Sequence, residues 1–162
     1  VADHSWRLAL MVTLVVPHLQ VEVDQLKLLK MAIIHDLVEI EARDVSVLNS
    51  IDSKEVVKKK DLAERKAMEK IRKMLGPDGR EVCDIWVEYE DMETNEAKVL
   101  KSLDRFEGQL QFLTEEVSSF TKKEQKSIDV LIKDTTELAK VDPFLEMIDK
   151  VILGERKGRI SS

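Results

Sequence analysis

Two ionisable side chains lie in the middle of an otherwise apolar stretch of this sequence. His35 and Asp36 have apolar neighbours throughout 31–38, and Glu39 follows within one helical turn. Burying an imidazole and a carboxylate costs several kcal/mol unless partners satisfy them. On a helix all three side chains crowd one sector, so the sequence predicts a polar cluster inside the core. A core histidine hydrogen-bonded to a neighbour is the alternative, and the His-Asp dipeptide alone does not decide between the two.

Two more residues could join this cluster. His4 opens another apolar segment, and Asp104 interrupts the apolar stripe of a later predicted helix. With His35 and Asp36 they form what we call the His/Asp set, which offers two imidazoles and two carboxylates. Such mixed donors suit Mn, Fe, Co, Ni or Zn and leave open positions for water and substrate. Because adjacent helical residues point about 100° apart, His35 and Asp36 can share one ion only at an edge that faces a cavity.

Apolar periodicity and capping signals predict the helices that must position these residues. The first two segments are apolar nearly all round, which predicts that they are buried and central. Asp24 can cap the second helix, and Thr121 with Glu124 forms a capping box. Residues 42–52 are expected to connect helices, and 155–162 to form a frayed tail. The predicted helices are 4–16, 25–41, 53–75, 80–90, 95–116, 122–140 and a last one that starts at Asp142-Pro143 and ends at Gly154.

The composition predicts an all-α, single-domain bundle over residues 1–162. The apolar fraction is 43%, enough for a real core, while aromatic residues make up 4% and only 5 Gly and 3 Pro are present. A net charge of −6 with both signs interspersed gives no reason to expect nucleic acid or an acidic membrane as a partner. A single cysteine, Cys83, suggests a reducing, cytoplasmic compartment. No apolar run is long enough to span a membrane.

The order His, His-Asp, Asp resembles the signature of the HD-domain phosphohydrolases. Finer segments are similar to the small branch that includes the 5′-deoxynucleotidases. The resemblance covers residues 1 to about 116, and 117–162 match only in being helical. Relatives carry a further helix ahead of the first histidine, which we expect to be missing from this chain. The matching segments are 1–7, 31–39 followed by Asp44, 86–90 and 97–105.

The resemblance implies a role for each matched residue. The His/Asp set would bind one divalent cation, which could be Co, Mn, Zn, Fe, Ni or Mg. Glu39 would be the acid/base that handles the attacking water, and Asp44 would orient water or ligand. Arg43 stands where the family commonly has Gly. The implied substrate is a (deoxy)nucleoside 5′-monophosphate, which is hydrolysed to nucleoside and phosphate.

Two alternatives to this function stay open. One is an HD enzyme that acts on another phosphoester, such as a cyclic nucleotide or a nucleoside triphosphate. The other is a non-catalytic helical interaction protein that keeps the polar cluster for structure. A homodimer is expected in either case, since small helical domains often bury a surplus apolar face against a copy of themselves. The remaining candidates are expected to be core or surface residues: Arg7, His18, Lys58–Lys60, Cys83, Trp86, Glu88, Tyr89 and Glu90.

Overall fold

The computed structural model describes residues 2–42, 54–114 and 122–160, and every regular element in these ranges is helical. The all-α fold class is therefore confirmed. Short 3₁₀ turns at Val16–His18 and Gly76–Asp78 follow the first and fourth helices. The α-helices are α1 (Ala2–Val15), α2 (Gln25–Ile34), α3 (Glu39–Ala42), α4 (Lys54–Leu75), α5 (Gly79–Asp91), α6 (Asn95–Thr114), α7 (Lys122–Ala139) and α8 (Pro143–Ile160).

Helix α6 runs through the centre of the bundle, with α1, α2 and α5 on one side and α7 and α8 on the other. Its buried leucines, Leu100 and Leu103, belong to the main hydrophobic core, to which α1 and α2 contribute Leu8 and Met31. A second, smaller cluster between α4 and α5 surrounds Trp86. The helices that bring the His/Asp set together, α1, α2 and α6, therefore also build the main core.

Two buried or capping carboxylates fix the connections between helices, as the sequence predicts. Asp24 accepts a hydrogen bond from the backbone N–H of Lys27 and caps α2. The fully buried Asp142 accepts from the backbone N–H of Phe144 at 2.8 Å and so caps α8. Its second carboxylate oxygen accepts from the N–H groups of Gln20 and Val21, which ties the α1–α2 connection to the start of α8.

The prediction that α1 and α2 are buried on all sides is wrong. Each helix packs against its neighbours on one face only, and large apolar side chains on the other face are exposed. On α1 these are Trp6, Leu10 and Leu14, and on α2 they are Leu26 and Ile33. Helices α1 and α2 thus pack one apolar face on the core, and their other apolar face contacts no neighbouring helix among the described residues.

Two helix boundaries also differ from the prediction. The single helix expected over 25–41 ends at Ile34, because the backbone hydrogen bonds change from four-residue to three-residue spacing over 35–41. Gly154 does not end α8, which continues to Ile160, so residues 155–160 are helical rather than frayed. Gly154 keeps a negative φ and therefore does not adopt the left-handed conformation that ends helices. Thr121 of the expected capping box and most of the 42–52 connection lie outside the described residues.

The corner between α4 and α5 depends on two glycines. Gly76 has a φ of +62°, which lets the chain turn directly after α4. Gly79, at the start of α5, packs so closely on the end of α4 that a Cβ there would overlap the carbonyl oxygen of Arg72. No helix in the described part of the chain is both long and apolar enough to cross a membrane.

Candidate metal centre

The structure brings together all four members of the His/Asp set from three places in the chain. His4 lies in the first turn of α1, His35 and Asp36 directly follow α2, and Asp104 lies in the middle of α6. The Nε2 atom of His4 is 3.2 Å from Nε2 of His35, 3.7 Å from Oδ2 of Asp36 and 3.2 Å from Oδ1 of Asp104. Nε2 of His35 is 3.2 Å from Oδ1 of Asp36.

These separations fit a divalent ion. Nitrogen and oxygen ligands bind transition ions at about 2.0–2.2 Å, so neighbouring ligand atoms around one ion lie roughly 3–3.5 Å apart. Ligand atoms from His4, His35 and Asp36 all lie within 4.8 Å of one another, and Asp104 reaches the group through His4. Three of the four donors, from His4, His35 and Asp36, are therefore assembled at the right scale for one ion, with the Asp104 carboxylate beside His4.

The hydrogen bonds of His35 decide between a structural and a ligand role for this residue. His35 is 4% exposed, and its Nδ1 donates to the carbonyl oxygen of Ala32 at 2.9 Å. That bond places the proton on Nδ1 and leaves the lone pair of Nε2 directed at the cluster. A merely satisfied core histidine would not present its second nitrogen to another histidine and a carboxylate. The geometry favours a ligand.

Negative charge outweighs positive charge at this cluster. The hydrogen bond to Asp104 is the largest cause that raises the pKa of His4 to about 9; burial opposes it, and Glu107 adds to it. Burial alone would raise the pKa of Asp104, but the His4 hydrogen bond holds it well below its usual range. The carboxylates therefore hold a proton on His4, and binding of a cation must release that proton.

Glu107 is a site residue that the sequence analysis missed. It is 3% exposed, and its Oε2 accepts from Nδ1 of His4 at 2.5 Å. Its other oxygen accepts from Nε of Arg7 at 2.5 Å, and the Gln111 amide reaches both oxygens at 2.7 Å. An acidic residue three positions after Asp104, on the same apolar stripe, was the signal that could have identified it.

Tyr89 connects the core to the same cluster. Its side chain is buried, as the sequence predicts, and its hydroxyl donates to Oδ2 of Asp104 at 3.0 Å while accepting from Nζ of Lys101 at 3.0 Å. Its ring meets the His35 ring edge-on at 5.3 Å between centroids. Burial raises the pKa of the Tyr89 hydroxyl well above its ordinary value, so the hydroxyl remains a neutral donor.

The two predicted catalytic carboxylates have different outcomes. Glu39 begins α3, its side chain is half-buried, and its N–H donates to the carbonyl oxygen of Asp36 at 3.0 Å. Three-residue winding stacks side chains three positions apart, so Glu39 is aligned with Asp36 rather than with His35 as a continuous helix would place it. Asp44 lies outside the described residues.

Several secondary candidates lie where the sequence analysis expected. His18 is exposed and stacks on Phe144, and Lys58 and Lys59 are exposed. Cys83 is half-buried, and burial raises the pKa of its thiol, so it is not a reactive thiolate. Glu88 pairs with Lys27 and accepts from Thr94, which accounts for it structurally.

Comparison with known proteins extends these observations. Residues 1–143 match the HD domain family. The chain is 35% identical over 116 residues to 5′-deoxynucleotidase HDDC2 of Dictyostelium discoideum, which covers 68% of this chain and 60% of that protein. It is 33% identical over 112 residues to the human protein of the same name, covering 68% and 52% respectively. The chain thus spans about half to three-fifths of the length of these relatives.

Solved structures show the same fold over nearly the whole chain. A predicted metal-dependent phosphohydrolase from Magnetospirillum magnetotacticum superposes with a TM-score of 0.77 at 26% identity, covering 98% of this chain and 77% of that one. A conserved hypothetical protein from Pyrococcus furiosus superposes with a TM-score of 0.69 at 27% identity, covering 97% and 83%. With the family match over residues 1–143, these likenesses show that the chain belongs to the HD-domain family.

Proposed function

We propose that this chain is a metal-dependent phosphohydrolase that hydrolyses (deoxy)nucleoside 5′-monophosphates to nucleoside and phosphate. The observation that carries the proposal is the convergence of the His/Asp set, in which Nε2 of His4 lies 3.2–3.7 Å from atoms of the other three residues. The names of the relatives, 5′-deoxynucleotidases in Dictyostelium and human, support the choice of substrate class.

The His/Asp set would hold one divalent cation through Nε2 of each histidine and one oxygen of each aspartate. A transition metal such as Co, Mn, Zn, Fe or Ni fits two imidazoles better than Mg does, since Mg prefers an all-oxygen shell. When bound, the ion would polarise a phosphoryl oxygen and activate a water molecule for attack on phosphorus. Water and substrate could then bind the ion at positions that the protein leaves open.

Glu39 is assigned the proton transfer. A carboxylate close to the ion could accept the proton of the attacking water while the new O–P bond forms. It can then return that proton to the 5′-oxygen as the P–O5′ bond breaks, which releases the nucleoside. Its half-buried position three residues after Asp36 supports this assignment. Asp44 is proposed to orient water or ligand, on the family resemblance alone.

We further propose that the protein acts as a cytoplasmic homodimer. The exposed apolar residues of α1, Trp6, Leu10 and Leu14, recur every four residues and so form one stripe along the helix. A stripe of this kind is a candidate for burial against a second copy. Sedimentation analysis of the protein and of Leu10→Glu tests this: the wild type should be dimeric and the variant monomeric.

The proposed activity is tested by phosphate release from a panel of ribo- and deoxynucleoside 5′-monophosphates, with Co²⁺, Mn²⁺, Zn²⁺ and Mg²⁺ added in turn to metal-free protein. We expect release from the monophosphates with at least one transition metal and loss of release with excess chelator. Release only from a cyclic nucleotide or a nucleoside triphosphate would move the chain to another branch of HD enzymes. Release from none of these compounds would favour the non-catalytic alternative.

A further inference from the structure

The second nitrogen of His4 is held by a buried carboxylate. Nδ1 of His4 lies 2.5 Å from Oε2 of Glu107, whose side chain is 3% exposed, while Nε2 faces the other members of the His/Asp set. An imidazole with one nitrogen hydrogen-bonded to a fixed carboxylate has only one ring orientation and one tautomer available when neutral. Glu107 therefore determines which nitrogen His4 presents to the cluster.

Glu107 is itself fixed on its remaining sides. Nε of Arg7 donates to Oε1 at 2.5 Å, and the Gln111 amide donates to the carboxylate from one turn further along α6. With His4, these donors give each oxygen of the carboxylate at least two hydrogen-bond partners. Because Arg7 lies three residues after His4 on α1, both side chains project from one face of the helix and hydrogen-bond to the same carboxylate.

Packing alone does not explain this arrangement. A buried glutamate in the apolar stripe of α6 would cost stability unless it were paired, and its pairs come from α1 and from its own helix. Histidine ligands of metal ions commonly donate their other N–H to a carboxylate, which orients the ring and makes it a stronger donor. The contacts of Glu107 reproduce that arrangement.

We infer that Glu107, fixed by Arg7, is a positioning residue that orients His4 and increases its strength as a metal ligand. The inference rests on the proposed metal centre and assigns a role to residues outside the His/Asp set. In this role Glu107 supplies an acceptor at Oε2 for His4 and a negative charge beside Arg7. Glutamine keeps the acceptor and loses the charge, whereas alanine loses both.

Co²⁺ binding to metal-free protein, measured by calorimetry and by the visible absorption of the bound ion, tests this inference without any activity assay. Glu107→Ala should bind Co²⁺ roughly 10- to 100-fold more weakly than wild type, with an altered spectrum. Glu107→Gln should recover most of that loss. Arg7→Gln should show a smaller weakening, because Arg7 acts only through Glu107. The matched control is Glu137→Gln, an exposed glutamate near the end of α7 that pairs with Lys140, the residue directly after that helix.

Folding of each variant is checked by circular dichroism. If Glu107→Ala does not fold, Arg7→Gln still decides the question, since it leaves Glu107 and its contact with His4 in place. Wild-type protein that binds Co²⁺ while Glu107→Ala or, failing that, Arg7→Gln gives an unchanged affinity and spectrum would overturn the positioning role alone. Wild-type protein that binds no Co²⁺ would overturn the proposed metal centre, and this inference with it.

Discussion

Two charged regions of this molecule differ in how their charges are balanced. The groove between α2 and α5, with a volume of about 560 Å³, is large enough for a small ligand, but its cations are each matched to a carboxylate. Lys27 pairs with Glu88 at 2.8 Å, Lys30 pairs with Glu81, and Arg80 lies 3.9 Å from Asp84. None of these three cations is therefore left without a carboxylate to attract an anionic ligand.

The His/Asp set is the opposite case. Asp36, Asp104 and Glu107 surround two histidines, while the cations beside them are Arg7, which pairs with Glu107, and Lys101, which reaches Asp104 through the Tyr89 hydroxyl. The excess of carboxylates is compensated in the free protein by a proton on His4. The contrast indicates that charge count, burial and convergence from different helices, rather than cavity size, distinguish the proposed metal site of this protein.

The largest expected effect comes from removing one carboxylate of the His/Asp set. Asp36→Ala should abolish both stoichiometric metal binding and phosphate release, because the ion would lose a charged ligand. The metal-free variant should remain folded and even gain stability, since a partly buried charge is removed. Elemental analysis, the phosphate assay and thermal unfolding check these three points. Full metal content and full turnover in Asp36→Ala would contradict the assignment.

Replacing Glu39 should separate chemistry from metal binding. Glu39→Ala should lower kcat by about 10²–10⁴, the usual contribution of a positioned acid/base. Metal content and KM should change far less, because a proton carrier acts mainly in the transition state. A variant that loses its metal would make Glu39 a ligand instead, and a variant with unchanged kcat would require a different base.

The raised pKa of His4 predicts a pH dependence for the metal-free protein. The folded pKa is about 9 against an ordinary 6.5, so the stabilisation is fully present below pH 6.5 and is lost as the pH rises through 9. The free energy of unfolding should fall by at most about 3 kcal/mol across this window. Urea unfolding from pH 6 to 9.5 measures it, and Asp104→Asn should flatten the curve. An equally steep decrease in Asp104→Asn would show that another group is responsible.

Backbone packing, rather than its ion pairs, should hold the corner beside the groove. Gly79→Ala forces a methyl group onto the Arg72 carbonyl and should lower the free energy of unfolding by about 1–3 kcal/mol. Thermal or urea unfolding of metal-free protein checks this value, with Gly158→Ala as the matched control because its added Cβ meets open space. Equal stability of the two variants would show that the corner relaxes without strain.

The smallest effect is expected at the groove itself. Asp84 is 73% exposed at its side chain and lies 3.9 Å from Arg80, so Asp84→Ala should change the free energy of unfolding by no more than about 0.5 kcal/mol. Metal binding and turnover should be unchanged. Asp84→Ala is also the charge-matched control for Asp36→Ala, and a loss of metal binding in it would undermine the contrast between the two regions.

The sequence predicted the helices of this fold well because their signals are local. The Asp24 and Asp142 caps act within their own turns, and the structure confirms both. What periodicity could not predict was which face of an apolar helix finds a neighbour, so Trp6 and Ile33 were wrongly expected to be buried. The end of α2 at Ile34 was also missed, since no Gly or Pro marks it.

The site was predictable only in part, for a related reason. The structure brings His4, His35, Asp36 and Asp104 together, as polar residues in apolar surroundings had indicated. Glu107 was missed because its partners, His4 and Arg7, lie about one hundred positions away in the sequence, and only tertiary packing creates that contact. Tyr89 was expected in the core, but its hydrogen bond to Asp104 likewise depends on the packing of α5 against α6.

In the proposed function, one metal ion held by the His/Asp set makes this chain a nucleotidase. The most direct measurement is a titration of metal-free protein with Co²⁺ in which phosphate release from deoxyadenosine 5′-monophosphate is followed at each addition. We predict that activity rises from zero and saturates at about one equivalent of Co²⁺ per chain, and that Asp36→Ala stays inactive throughout. Activity that is already full in chelator-treated protein, or that never appears although Co²⁺ binds, would contradict the account.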